Sequence, residues 1–298
     1  MYERETSVSS SVPAIGTRPV DLHISALEKM GAEFIIEDGY IKGKVKGRLK
    51  GCEITLKKIS VGATENIIMA ATLADGETII KNAAREPEIS DLSNFLVDSG
   101  AEIDGYGTNV IKIKGKKRLR GCEFSVMPDR IEAGTFALCV MGCSGSLMLE
   151  NMNNDVCDHL VKIFSPLKSL YLKKRKKGEC LHVTKVNKNL QSVKITTKEY
   201  PGFPTDLQAQ LTASLLKSNG KLELKENIFH NFSILIVLPC ILFLIIFGLI
   251  VVSDSAITLL TSAALGAAVG MSGGSIGISP GFSCNVANIF TKPAFLPS

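Results

Sequence analysis

Two textures alternate along the first 230 residues of the chain. Apolar residues that return every three or four positions predict helices over residues 20–30, 64–73, 89–99, 133–141 and 207–217. Between them, short stretches alternate apolar and polar side chains as a half-buried strand does, over residues 33–36, 40–44, 54–56, 111–113, 124–126 and 193–196. The helices at 20–30 and 89–99 each run into a glycine, Gly31 and Gly100. Glycine readily takes the left-handed conformation that closes a helix.

The pattern repeats. Gly47-Arg48-Leu49-Lys50-Gly51-Cys52-Glu53-Ile54 returns as Lys117-Arg118-Leu119-Arg120-Gly121-Cys122-Glu123-Phe124, and Gly31-Ala32-Glu33-Phe34 returns as Gly100-Ala101-Glu102-Ile103, at an offset of about seventy residues. A fainter third copy runs from His182-Val183 through residues 193–196 to the helix at 207–217. No such unit can bury its apolar face alone, whereas stacked units with helices inside and small sheets outside share one core. The pattern therefore reads as an α/β fold of βαββαβ-type repeats. It places Cys52 and Cys122 at equivalent positions ahead of short strands. No Gly-rich phosphate loop or GxGxxG follows a strand, which argues against a P-loop or Rossmann fold.

Both textures stop near residue 231. Residues 234–252 read ILIVLPCILFLIIFGLIVV without a charge, long enough to span a bilayer, and residues 256–298 carry only Lys292 as a formal charge. Such a run predicts a helix, continuous or bent at Pro239, that is apolar all round and packs poorly on a domain. It reads either as a membrane-contacting tail anchor or as sequence from a shifted reading frame, foreign to the parent fold.

Composition narrows the classes of function. With 45% hydrophobic and 21% charged residues, the 298-residue chain can bury a core, which excludes wholesale disorder, a collagen-like fibre and a small disulfide scaffold. A net charge of +5, from 34 Lys and Arg against 29 Asp and Glu, is too mild for nucleic acid but suits an anionic small molecule. Aromatic residues are 6% and Trp is absent, which disfavours a base-stacking platform. The basic runs at 42–50, 112–120 and 173–177 lack interleaved aromatics and read as solvated faces. The eight cysteines form no CxxC pair and the four histidines no ligand-spaced cluster with them, so no metal is expected. Cys139 and Cys143, one helical turn apart in an apolar run, read as buried thiols. The amino end Met1-Tyr2-Glu3-Arg4-Glu5-Thr6 has no apolar signal-peptide core, and reduced cytoplasmic thiols fit best.

Candidate chemistry gathers where strands hand over to helices: Gly16-Thr17-Arg18-Pro19-Val20-Asp21, Lys58-Ile59-Ser60-Val61-Gly62, Arg85-Glu86-Pro87-Glu88, Pro128-Asp129-Arg130-Ile131-Glu132 and Gly202-Phe203-Pro204-Thr205-Asp206. A helix start offers amides and positive partial charge, a seat for phosphate, and Arg18 and Lys58 add full charges beside two of them. Each residue has a plainer reading too. Asp21 and Asp206 serve as caps, Lys58 as a solvated lysine, and Glu86 and Glu88 as complements to the helix dipole. Recurrence of one topological position with different polar residues favours the chemical reading.

These blocks, in the extended forms Gly16-Thr17-Arg18-Pro19-Val20-Asp21-Leu22-His23, Ser60-Val61-Gly62-Ala63-Thr64-Glu65-Asn66, Ala84-Arg85-Glu86-Pro87-Glu88-Ile89, Pro128-Asp129-Arg130-Ile131-Glu132-Ala133-Gly134-Thr135 and Pro201-Gly202-Phe203-Pro204-Thr205-Asp206-Leu207-Gln208-Ala209-Gln210, resemble the UDP-N-acetylglucosamine 1-carboxyvinyltransferases, a family of enolpyruvyl transferases. The likeness runs from Ala14 to about Asn231 and weakens between Asn154 and Leu190. It implies an inside-out α/β barrel of βαβαββ repeats, incomplete here. Residues 1–13 are then a divergent amino-terminal segment, 14–127 part of a first domain, 128–231 part of a second, and 232–298 an apolar tail.

The implied reaction moves the enolpyruvyl group of phosphoenolpyruvate to the 3-hydroxyl of UDP-N-acetylglucosamine, the first committed step of peptidoglycan synthesis, without cofactor or metal. The resemblance assigns Arg18, Pro19, Val20, Asp21, Leu22, Lys58, Ile59, Ser60 and Val61 to the UDP-sugar, with Arg18 also near the phosphoenolpyruvate phosphate. Asp206 matches the residue that contacts the 3-hydroxyl and takes its proton, and Ile228 matches a further substrate contact.

Three departures follow. Pro13 stands at the place of the family's active-site cysteine, with Ser11-Val12 for its glycines. The family's Lys-Asn pair near the amino end has no counterpart, and Asn231-Phe232-Ser233 stands where an Asn-Arg-Phe-Met run is expected. The expectation is an internal stretch of the family pattern with unrelated flanks and impaired turnover. The alternative is a membrane-tethered, catalytically inactive UDP-sugar-binding protein.

Overall fold

The computed structural model describes residues 4–8, 20–37, 40–143, 145–175, 179–186, 193–215 and 222–228. Arg18, Pro19, Pro13 and the apolar run at 234–252 lie outside the described residues. The chain divides into two compact units, Met1–Met127 with Glu199–Pro201, and Pro128–Lys198 with Gly202–Ser298.

Unit 1 runs β1 (Arg4–Val8), α1 (Asp21–Lys29), β2 (Ala32–Glu37), β3 (Tyr40–Val45), β4 (Glu53–Thr55), α2 (Val61–Thr72), β5 (Glu77–Lys81), α3 (Pro87–Asp98), β6 (Glu102–Asp104) and β7 (Val110–Lys114). The segment β4-α2-β5-α3-β6-β7 is one whole βαβαββ repeat. Its strands lie in the order β4-β5-β7-β6, with β4 and β5 parallel and the rest antiparallel. Alternation sorts the two faces. Ile54 sits beside Ile80 and Ile80 beside Ile111, while Ile113 lies between Thr78 and Ile103; all six are buried. Each fully buried isoleucine contributes roughly 1.5–3 kcal/mol. The other face carries the ion pairs Lys81–Glu53 at 2.7 Å and Lys114–Glu102 at 3.8 Å. The antiparallel sheet β1-β3-β2 is the strand part of a preceding copy.

The two copies share local details. Gly31 and Gly100 take φ of +97° and +99°, closing α1 and α3. Lys50 N then donates to Met30 O at 2.8 Å, and Arg120 N to Ser99 O at 2.9 Å. Cys52 and Cys122 both lie outside helices and strands, half-buried. One expectation fails: residues 124–126 form no strand. A strand needs a ladder, and this stretch has none among the described residues. Phe124 instead sets its ring edge-on to Phe95 at 5.6 Å, and Val126 is 79% exposed.

Unit 2 runs α4 (Arg130–Cys143), β8 (Ser146–Leu149), α5 (Asn154–Phe164), β9 (Leu170–Arg175), β10 (Cys180–Lys185), β11 (Val193–Thr196), a single 3-10 turn (Thr205–Leu207), α6 (Gln208–Leu215) and β12 (Leu222–Lys225). Its strands form two sheets, the antiparallel β8-β10-β9 and the separate parallel pair β11-β12, whose strands α6 connects along the chain. The α5 helix starts where Asn153 Oδ1 accepts from Val156 N at 2.8 Å and buries Val156, Cys157, Leu160, Ile163 and Phe164. α4 and α6 meet closely. A Cβ on Gly134 would come 2.7 Å from Leu207 Cδ1, so any larger residue there makes the Leu207 side chain shift. Ser214 Oγ donates to Leu138 O at 2.8 Å, and Gln210 Nε2 donates to Thr135 Oγ1 at 3.1 Å. That packing fixes the turn carrying Asp206. Among the described residues, no helix is long and apolar enough to cross a membrane.

Candidate functional site

In unit 1, three helix starts lie side by side. Ser60 begins α2 as its N-cap: its Oγ accepts from Ala63 N at 3.3 Å, and its carbonyl accepts Thr64 N at 3.0 Å. The buried Thr64 hydroxyl donates to Ser60 O at 2.7 Å and accepts Ala84 N at 3.1 Å, tying α2 to the approach to α3. Pro87 opens α3 at its first turn, where a missing N–H costs no helical bond. Before it, buried Glu86 accepts Arg85 N at 2.9 Å and Tyr200 N at 3.4 Å, while Arg85 Nη2 donates to Tyr200 O at 3.3 Å. α1 joins on the other side. His23 Nδ1 lies 2.6 Å from Asn66 Nδ2, and a Cβ on Gly62 would come 3.3 Å from the His23 ring.

Of the expected unit 1 residues, Val20, Asp21, Leu22, Lys58, Ile59, Ser60 and Val61 are described. Val20 and Asp21 are exposed at the start of α1, with Val20 O accepting Ile24 N at 3.0 Å, whereas Leu22 turns into the core. Lys58 is exposed in the turn between β4 and α2. Ile59 and Val61 pack their side chains against the core, so they offer a ligand mainly backbone. The exposed faces combine two helix starts with one lysine, a pattern suited to a phosphorylated ligand.

Burial lowers the pKa of His23 despite the nearby Asp21. Burial raises that of Glu65, reinforced by Glu88 and then Glu86.

In unit 2, Asp206 is exposed in the 3-10 turn ahead of α6. Glu226 Oε1 accepts three bonds, from Thr197 Oγ1 at 2.8 Å, Thr205 Oγ1 at 3.1 Å and Ile228 N at 2.7 Å. Thr197 Oγ1 in turn accepts Asn227 N at 3.0 Å. One carboxylate oxygen thus holds the Asp206 turn to the Ile228 end of β12. Sequence reasoning named Asp206 and Ile228 but missed Glu226 and Thr197. The available signal was adjacency: Thr205 precedes Asp206, and Glu226 lies two positions before Ile228.

The family model for EPSP synthase (3-phosphoshikimate 1-carboxyvinyltransferase) matches residues 7–237. The chain belongs to this family. Within it, the chain is similar to proteins named UDP-N-acetylglucosamine 1-carboxyvinyltransferase. The one from Nitratidesulfovibrio vulgaris (strain DP4) is 47% identical over 218 residues, 73% of this chain and 51% of the relative. The one from Paramagnetospirillum magneticum is 47% identical over 218 residues, covering 73% and 50%, and that of Lawsonia intracellularis 46%, covering 73% and 51%. The chain spans about half the length of the curated relatives it matches. Among solved structures, the enolpyruvyl transferase NikO from Streptomyces tendae matches with a TM-score of 0.62 at 17% identity, over 75% of this chain and 53% of that one. EPSP synthase from Acinetobacter baumannii matches with a TM-score of 0.53 at 19% identity, over 74% and 51%. These likenesses show the family's α/β fold.

Proposed function

We propose that the chain serves the transfer of the enolpyruvyl group from phosphoenolpyruvate to the 3-hydroxyl of UDP-N-acetylglucosamine, in the cytoplasm, as an incomplete inside-out α/β barrel. Residues 14–127 and 128–231 are parts of its two domains. The observation that carries this reading is the 47% identity over 218 residues to proteins named for that reaction, in a chain whose family match, residues 7–237, takes in the adjoining α1 and α2 starts and the Asp206 turn.

Arg18, Pro19, Val20, Asp21 and Leu22, with Lys58, Ile59, Ser60 and Val61, hold the UDP-sugar, and Arg18 also meets the phosphate of phosphoenolpyruvate. A guanidinium fork and an ammonium beside helix starts suit these anions. Asp206 takes the proton from the 3-hydroxyl as its oxygen bonds to C2 of phosphoenolpyruvate, while C3 gains a proton. The resulting tetrahedral ketal loses phosphate as the C2–O bond breaks, and loss of a C3 proton restores the double bond. Ile228 contributes a further substrate contact. No step calls for a metal.

Proline has no proton to give, so Pro13 slows the addition step by about 10²–10⁴ relative to an acid at that place. The test is mass-spectrometric detection of enolpyruvyl UDP-N-acetylglucosamine, with phosphate release, using the full chain and its Pro13→Cys variant. The expected result is more product from the variant, lost on adding Asp206→Asn. No product dependent on UDP-N-acetylglucosamine from either protein would overturn the reading.

A further inference from the structure

We infer that Glu226 is a positioning residue that sets where Asp206 and Ile228 stand, and thereby the chain's grip on the sugar of its substrate. The inference rests on the substrate reading above. Asp206 belongs to a single 3-10 turn, which has too few backbone bonds of its own to hold a side chain at a fixed place. Ile228 lies beyond the last residue of β12, where the ladder to β11 has ended.

Both are anchored from outside, by the same atom. Glu226 Oε1 accepts from Thr205 Oγ1 at 3.1 Å, the residue next to Asp206, and from Ile228 N at 2.7 Å. Its third donor, Thr197 Oγ1 at 2.8 Å, sits just past β11 and itself receives Asn227 N at 3.0 Å. Thr205 and Thr197 are each at most 5% exposed. The bonds are therefore sheltered from water, where a hydrogen bond is stronger than at an exposed surface. The carboxylate links three chain segments, the end of β11, the 3-10 turn and the end of β12, into one support.

Removing the carboxylate frees the turn and the Ile228 segment together. Within the reading above, that harms contacts to the sugar and spares contacts to the uridine and diphosphate, which unit 1 supplies. The discriminating measurement is the ratio of two affinities, for UDP-N-acetylglucosamine and for UDP, taken by calorimetry on the full chain. Glu226→Ala is expected to weaken UDP-N-acetylglucosamine about tenfold and leave UDP unchanged. Glu226→Gln keeps a carbonyl acceptor and is expected to recover most of that loss. If Glu226→Ala loses its cooperative melting transition, Thr205→Val, which removes one of the three donors, shows the same selective weakening to a smaller degree. Folded variants that weaken both ligands equally, or neither, overturn the positioning role. A wild-type chain that binds neither ligand overturns the substrate reading itself.

Discussion

The side-chain amide nitrogen of Asn66 lies 2.6 Å from Nδ1 of His23, joining the first turn of α1 to α2. With the amide NH2 facing the ring, Nδ1 is the acceptor, an arrangement that favours the neutral imidazole with its proton on Nε2. Burial acts in the same direction and lowers the His23 pKa below 6.5 against the opposing Asp21. The unfolded chain therefore binds more protons than the folded one as pH falls below 6.5. The contribution to stability is present above that value and is lost as pH falls through the folded pKa. Titration of the His23 ring protons by NMR is expected to give a midpoint below 6.5, and Asn66→Asp, which places a carboxylate beside the ring, is expected to raise it. A wild-type midpoint above 6.5 would contradict the neutral pair.

Glu65 carries the opposite sign. Its pKa is raised from 4.5 by burial, then by Glu88 and Glu86. Its contribution is fully present below 4.5 and lost as pH rises through the folded value, where the unfolded chain releases the proton more readily. Glu65→Gln is expected to melt higher than wild type at pH about 7.5 and alike at pH about 4. Equal melting temperatures at both would show that folding does not raise the Glu65 pKa.

The end of α2 is clamped by one guanidinium. Arg48 donates through Nε and Nη2 to Leu73 O at 3.0 and 2.7 Å and to Ala74 O at 3.3 Å, reaches Lys116 O, and pairs with Asp75 at 2.7 Å. A lysine cannot reproduce the planar fork. Arg48→Lys is expected to cost about 1–3 kcal/mol in urea unfolding. A loss near zero would mean that water replaces the clamp.

Close packing under the Asp206 turn gives a further test. A methyl at Gly134 would meet Leu207 Cδ1 at 2.7 Å, so Gly134→Ala displaces the Leu207 side chain beside Asp206 and strains the turn that carries it. The expected cost is about 1–3 kcal/mol, with weaker binding of UDP-N-acetylglucosamine. Unchanged stability and affinity would show that the Leu207 side chain moves aside without straining the turn.

Much of this fold was legible because its signals are local. The helix periods of α1 and α3, and the glycines that end them, need no distant partner to be read. The strand at 124–126 failed for the opposite reason: its alternation resembles that of β4, but β4 has β5 beside it and 124–126 has no described strand. β5 was missed because Glu77–Lys81 is too short a run to tell strand from helix by period. α5 was missed although Asn153 and the spacing of Val156, Leu160 and Ile163 carry the signal of a capped helix, in a stretch where the family likeness weakens.

The site divides in the same way. Lys58, Ser60 and Asp206 stand at helix starts, which local chemistry marks. Thr197, Thr205 and Glu226 meet only through folding, across separations of 21 and 29 residues to Glu226. No local pattern announces such a meeting.

Calorimetric titration of UDP-N-acetylglucosamine into the full chain, beside its Lys58→Ala variant, tests the substrate claim most directly. The account predicts saturable binding to the wild-type chain that weakens about tenfold or more when the Lys58 charge is removed, as loss of a charge-assisted phosphate contact requires. Absence of saturable binding, or affinity unaffected by Lys58→Ala, would contradict it.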